Sequence, residues 1–161
     1  MHIRPATESD ADAIWSILES VLRAGETYTL APDIPREAAL AYWMSAEKQT
    51  FVCEDDGRIL GTYYLKANQD GGGAHVCNCG YMTSPQARGR GVAGSMCEHS
   101  QEIARQAGFR AMQFNFVVST NEGAIRLWKK LGYEIAGRLP GAFLHPREGY
   151  VDACIMYKTL V

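Results

Sequence analysis

No stretch of this 161-residue sequence is apolar over the length a membrane span needs. The opening Met1-His2-Ile3-Arg4-Pro5 runs straight into polar residues, so no apolar leader is expected. Charge of one sign is also missing. Sixteen Lys and Arg against 18 Asp and Glu leave a net −2, which argues against nucleic-acid or membrane-surface electrostatics. Cysteines are odd in number: Cys53, Cys77, Cys79, Cys97 and Cys154. Without a secretory context these read as reduced thiols of a cytoplasmic protein. His75, Cys77 and Cys79 share one face of one strand and point in parallel, and no Cys-x-x-Cys or His-x-x-x-His accompanies them, so no metal is expected. No repeat, linker or low-complexity tract divides the chain, which reads as one domain over residues 1–161. Hydrophobic residues at 47% and charged ones at 21% are ordinary for a globular protein.

What is present orders itself into elements. Ile3-Arg4 reads as a short strand. Thr7 or Asp10 can cap a helix to about Ala24, with Ile14, Ile17, Leu18, Val21 and Leu22 as its apolar face. Pro35 suits the first turn of a second helix, through Ala39, Tyr42 and Trp43 to about Glu47. Strands are expected at Thr50 to Glu54, Ile59 to Ala67 and Ala74 to Thr83, with Asp56-Gly57 as a hairpin turn and Gly71-Gly72-Gly73 as a hairpin tip. A helix from Val92 to Ala107 stops at Gly108. Met112 to Val118 is a strand, Asn121 begins a helix ending at Leu131-Gly132, and Tyr133 to Ala136 and Val151 to Tyr157 are final strands. A loop holding Pro140, Gly141, Pro146 and Gly149 joins those two. This order predicts an α/β domain with a mixed sheet rather than a fully parallel one.

The most informative segment is Arg88-Gly89-Arg90-Gly91-Val92-Ala93-Gly94, where a strand hands over to a helix. Glycines let the backbone approach an anion closely. The unpaired N–H groups of a first helical turn and the helix dipole favour negative charge there, and Arg88 and Arg90 add cationic donors. Gly89-x-Gly91-x-x-Gly94 matches the dinucleotide fingerprint literally. That fold also needs an acidic residue at the end of the next strand, and Met112-Gln113-Phe114-Asn115-Phe116-Val117-Val118 has none. The Gly-Lys-Ser/Thr of a P-loop is absent too.

The same residues read as Arg88-x-x-Gly91-x-Ala93, which resembles the pyrophosphate loop of the GNAT acyltransferases. Asn121-Glu122-Gly123-Ala124-Ile125-Arg126-Leu127-Trp128, followed by Gly132-Tyr133, is similar to that family's second motif, and Ile3-Arg4-Pro5-Ala6-Thr7 is similar to its usual start. The resemblance covers the chain nearly end to end. It implies the GNAT fold: a mixed, mostly antiparallel sheet with splayed middle strands, flanked by helices. It implies acetyl-CoA as co-substrate, its pyrophosphate on the main-chain N–H groups of Arg88, Gly89, Arg90, Gly91, Val92 and Ala93. The pantetheine arm would enter between the splayed strands, against Tyr81, Met82, Thr83, Asn121 and Trp128. An amine would attack the thioester directly in a ternary complex, with polar groups stabilising the oxyanion and positioning supplying much of the acceleration.

His75-x-Cys77-Asn78-x-Gly80, Phe114-Asn115 and Thr120-Asn121 are similar to one subgroup, the fungal proline-analogue acetyltransferases that act on azetidine-2-carboxylate and related cyclic imino acids. That resemblance places functional asparagines at Asn78, Asn115 and Asn121. Asparagine is disfavoured in mid-strand, and a buried carboxamide must find partners, so Asn78 and Asn115 read as site residues. Asn121, opening a helix, reads first as an N-cap, a role compatible with a place in the site if its amide faces the cleft.

Many family members carry a Tyr acid where this chain has Trp128, whose indole N–H is no practical proton donor. A thiolate whose thiol pKa is about 8.5 leaves tolerably without one. His75 points away from Asn78 by alternation. A water-relayed proton exit therefore stands ahead of His75, Tyr81 or Asp152 as base. Cys97 and Cys154 read as core residues; His2, His99 and His145 read as surface ones, His145 within reach of an acceptor site. The expected activity is N-acetylation of a small-molecule amine such as an amino acid or proline analogue. Two alternatives stand beside it: an acyl-CoA-binding regulatory module, favoured by the absent Tyr, and a protein N-terminal acetyltransferase. A homodimer is compatible with the resemblance.

Overall fold

The computed structural model describes residues 1–161. Ile14, Ile17, Leu18 and Leu22 give α1 (Ala11–Ala24) one buried stripe, and a short turn at Glu8–Asp10 leads into it. Asp10 accepts from the Thr7 amide (2.8 Å) and from two nitrogens of Arg4 (2.8 and 2.9 Å), which ties the first strand to the first helix. The Arg4 guanidinium bonded to it holds the Asp10 carboxyl at about 2, below its usual 3.8. A depressed carboxylate pKa stabilises above the unfolded value, and the benefit is lost as pH falls through the folded one. At 1.36 kcal/mol per unit this is roughly 2 kcal/mol. Asp10→Asn is expected to lower the unfolding free energy by about that much at neutral pH, a difference that closes near pH 2; urea unfolding at both pH values measures it.

α2 (Arg36–Trp43) is shorter than its pattern predicts. Lys48 Nζ donates to the Tyr42 carbonyl, Thr50 Oγ1 donates to the Trp43 carbonyl (2.9 Å), and the Trp43 indole donates to Thr62 (3.0 Å). With its last carbonyls satisfied by side chains, the helix stops at Trp43 instead of reaching Glu47.

A meander of β2 (Gln49–Asp55), β3 (Arg58–Ala67) and β4 (Val76–Thr83) follows. Asp56 (φ 49°) and Gly57 (φ 73°) make the expected turn between the first two. With β1 (His2–Pro5), β5 (Ala111–Val118), β6 (Glu134–His145) and β7 (Gly149–Thr159), the sheet order is β1-β2-β3-β4-β5-β7-β6. Only β4 and β5 are parallel, joined through α3 (Val92–Gln106); α4 (Glu122–Lys130) links β5 to β6. Helices α1 and α2 cover one face, over Val52, Tyr64 and Met82. The larger cluster, including Met96, Cys97, Trp128 and Cys154, lies on the other.

Two further expectations change. The segment holding Pro140 and Gly141 is strand rather than loop, since β6 continues to His145. Pro140 cannot donate to a ladder, but β6 is the outer edge and its pairing is irregular between Leu139 and Phe143, with Gly141 at φ 57°. His75 precedes β4 rather than lying in it; its carbonyl accepts from Arg110 N–H (2.9 Å), and it is exposed.

Candidate functional site

β4 and β5 pair only at Val76–Ala111 and Cys77–Met112, then part. Ladder alternation commits the main-chain groups of Asn78, Gly80 and Met82 to β3, a series continued by Ser84 N–H on the Leu60 carbonyl (2.8 Å). The groups of Cys79, Tyr81 and Thr83 therefore face the gap. That gap belongs to a cleft of about 610 Å³. Tyr28, from the connection between α1 and α2, reaches across and donates to the Tyr81 carbonyl (2.9 Å).

At the vertex, Asn78 Nδ2 donates to the Gln113 carbonyl (2.9 Å), replacing a ladder bond that the parting strands have lost. The rest of its carboxamide faces the cleft. In β5, Asn115 and Phe116 stand opposite a single residue of β7. This bulge keeps Phe114 and Val117 both in the larger core and leaves Asn115 exposed on the cleft. Asn115 Nδ2 donates to Asn68 (2.7 Å), and its Oδ1 accepts from Gln113 Nε2 (2.9 Å). Asn121 caps α4 through the Ala124 amide (3.4 Å) and also lines the cleft. All three asparagines thus meet one cavity, with Asn78 and Asn115 at the vertex and Asn121 beyond the end of β5.

At the open end, Gly89 (φ 73°) and Gly91 (φ 75°) turn the chain into α3, and Arg88 lines the cleft. No main-chain carbonyl accepts from the N–H groups of Arg88, Gly89, Gly91, Val92, Ala93 or Gly94; Ser95, onto Gly91 (3.0 Å), is the first to donate back. Arg90 departs from expectation. Its N–H is spent on Ala87 (3.2 Å), and its guanidinium pairs with Asp55, whose carboxyl the N-terminal amine (3.0 Å) and Arg90 hold below the usual range. Asp55 on β2 thus shares that guanidinium at the surface, where the Arg90 side chain is 47% exposed. Met82 pairs its backbone with Thr62 and buries its side chain beneath α1 and α2, while still lining the cleft.

Trp128 packs on Tyr81 (5.2 Å) and Phe114 (5.1 Å) as one wall of the cleft. The Tyr81 phenol points into the core beside Ser100 (2.7 Å), and burial pushes its pKa well up, so it is no base. Asp152 lies on β7, bonded to Gly141 N–H (2.9 Å) and Arg138 (3.2 Å), outside the cleft. His75 lies outside it too. Two histidines expected at the surface are not there. His99 is half-buried against the Tyr63 hydroxyl (2.7 Å), and His145 is buried, its Nδ1 accepting from Arg147 and Glu148 N–H (3.2 Å each) in a smaller polar pocket that shares Asn121.

Sequence reasoning missed Tyr28, Tyr64 and Lys66. Lys66 stands opposite Asn78, and Tyr64 opposite Gly80. A Cβ at Gly80 would meet the Tyr64 ring at 2.7 Å, so the ring's position over β4 requires glycine there. The alternation Thr62, Tyr64, Lys66 was the available signal, but only the register shows that it shares a face with Asn78.

Comparison with known proteins agrees with this geometry. Residues 13–133 match the model of the Acetyltransferase (GNAT) family. The N-acetyltransferase aca1 of Schizosaccharomyces pombe is 39% identical over 98 residues, 60% of this chain; the chain spans about half, 47%, of that curated relative's length. A GCN5-related N-acetyltransferase from Kribbella flavida is 39% identical and superposes with a TM-score of 0.94, covering 98% of this chain and 96% of that one. A phosphinothricin acetyltransferase from Sinorhizobium meliloti, solved in complex with acetyl-CoA, has the same fold (TM-score 0.82, 22% identity, 98% and 87% covered). With the family model matching most of the chain over a sheet that parts between its two parallel strands, this protein belongs to the GNAT family of acetyltransferases.

Proposed function

We propose that the protein transfers an acetyl group from acetyl-CoA to the amine of a small molecule, and that the acceptor is an amino acid of the azetidine-2-carboxylate and proline-analogue type. The observation that carries this reading is a helix N-terminus with free amides, connected along an unpaired strand edge to paired asparagines at the vertex. Acetyl-CoA, when bound, supplies an activated thioester carbonyl. The N–H groups of Arg88, Gly89, Gly91, Val92 and Ala93 hold its pyrophosphate, with the Arg88 side chain beside them. The main-chain groups of Cys79, Tyr81 and Thr83, together with Asn121, hold the pantetheine arm, and Trp128 is the wall it lies against.

Asn78 directs the unshared part of its amide at the reacting carbonyl, and Asn115 orients the amine. Glu26 is the only carboxylate lining the cleft, and Arg147 pairs with it (2.6 Å), so the amine's proton leaves through water. The five cysteines are all buried and unpaired, which suits a reducing cytoplasm.

Thiol release measured with acetyl-CoA and an amine panel tests the reading. The panel holds azetidine-2-carboxylate, proline analogues, neutral amines and short peptides. Release with the cyclic imino acids is the expected result. Tight acetyl-CoA binding with no release on any amine supports a regulatory module instead, and a clear preference for peptides supports N-terminal acetylation. Sedimentation velocity on the same preparation checks for the homodimer.

A further inference from the structure

We infer that the Lys66 ammonium binds the carboxylate of the acceptor and so selects amino acids over plain amines; this rests on the acetyl transfer proposed above. Two cationic side chains line the cleft, Arg88 and Lys66. Arg88 stands at the open end, beside the loop. Lys66 stands at the other end, directly across the β3–β4 ladder from Asn78, so the two side chains rise from the same face as close neighbours. Nothing in the binding of the acetyl donor uses Lys66. The acceptor therefore meets a cation within reach of the carboxamide placed at the reacting carbonyl.

The surroundings leave that cation available. Its one ionic partner is Glu47, at 3.3 Å, a carboxylate whose side chain is 64% exposed. An exposed pair of this kind contributes little and is easily exchanged for another anion. The neighbouring Lys48 is differently employed. Its Nζ lies 3.4 Å from the centre of the Tyr42 ring and 4.4 Å from that of Tyr64, and it donates to the Tyr42 carbonyl. Lys48 is committed to those rings, whereas Lys66 reaches the cavity. Tyr42 and Tyr64 line the same cleft as Lys66. Aromatic walls, one ammonium and two carboxamides match a small, carbon-rich ring that carries both an amine and a carboxylate.

Matched acceptors test this: azetidine-2-carboxylate against its carboxamide, and proline against prolinamide, with wild type, Lys66→Met, Lys66→Arg and Glu47→Gln. The expected result is a wild-type preference for the carboxylates that falls roughly 10- to 100-fold in Lys66→Met, mainly through KM, the size expected for one hydrogen bond to a charged group. Lys66→Arg should recover part of it, and Glu47→Gln, which removes the competing anion, should strengthen it. Equal losses for carboxylate and carboxamide in Lys66→Met, or no preference in wild type while amines are still acetylated, overturns the assignment and leaves the acetyltransferase reading intact. Absence of turnover on every amine overturns that reading instead. In that event calorimetric titration of the CoA-loaded protein with N-acetylazetidine-2-carboxylate and its carboxamide decides on Lys66. Carboxylate-selective binding lost in Lys66→Met supports the assignment, and binding that ignores the carboxylate overturns it.

Discussion

Gly91→Val is expected to weaken acetyl-CoA binding about 100-fold while the protein remains folded, equivalent to losing one or two hydrogen bonds to a charged group. Gly91 sits at φ 75°, a region in which a side chain is strained. A Cβ there would meet nothing within 4 Å. The substitution therefore meets open space in the protein and costs stability only through the left-handed backbone, roughly 1–2 kcal/mol. With no protein contact to meet, the valine's effect should fall on the ligand held by the free amides at the start of α3. Calorimetric titration with acetyl-CoA measures the affinity, and thermal unfolding monitors the fold. Gly91→Ala, with a smaller side chain in the same conformation, should show the same trend to a lesser degree. An affinity unchanged in both variants would falsify the assignment of the loop to the pyrophosphate.

Removing the Asn78 amide is expected to have the second large effect. In Asn78→Ala, kcat should fall on the order of 10²- to 10³-fold, as when a donor to a developing oxyanion is removed, while acetyl-CoA affinity changes little. The same substitution strands the Gln113 carbonyl, which loses its only side-chain donor at 2.9 Å. Losing a part-buried hydrogen bond of this kind costs roughly 0.5–1.5 kcal/mol, so a modestly lower unfolding midpoint should accompany the kinetic loss. Asn115→Ala separates the two effects. Asn115 is exposed and bonded only to the side chains of Asn68 and Gln113, so its removal should spare stability. If Asn115→Ala slows turnover with a normal midpoint, the amide acts on the substrate. Wild-type turnover in both variants would reduce the pair to a strut and a surface network.

On the proposed reading, the vertex combines support and chemistry in the same residues. Where a parallel pair of strands parts, main-chain groups lose their ladder partners, and a side-chain carboxamide can satisfy one and still face the opening. Asn78 does this on β4. On β5 the bulge achieves a related end by turning Asn115 outward without withdrawing Phe114 or Val117 from the core.

Much of this was legible in the order of residues, wherever the controlling interaction is local. Gly89 and Gly91 announce a left-handed turn because few other residues tolerate one. The start of α3 promises free amides because no first turn can satisfy its own, and Asn121 announces a cap by the same logic. The family motifs are legible for that reason as well, since each is a contiguous strand-to-helix or cap-to-turn segment. Two short-range readings still failed. The second helix ended early because Lys48 and Thr50 took its carbonyls, and the late loop became strand because an edge tolerates Pro140.

What the tertiary structure alone decided is everything that depends on register or on partners distant in the chain. The pairing of Arg90 with Asp55, 35 positions away, has no signal in the order of residues. Tyr28 had no detectable pattern, yet it reaches 53 positions to the edge of β4. Lys66 became a cleft residue only when pairing set it opposite Asn78. A strand's pattern assigns side chains to two alternate faces, and only its neighbours determine which face looks onto a cleft. The sequence by itself therefore determined the proposed donor side of the cleft, which is built from local turns and a helix end. The part of the cleft proposed for the acceptor, assembled from β3, β5 and the connection between α1 and α2, was decided by long-range packing.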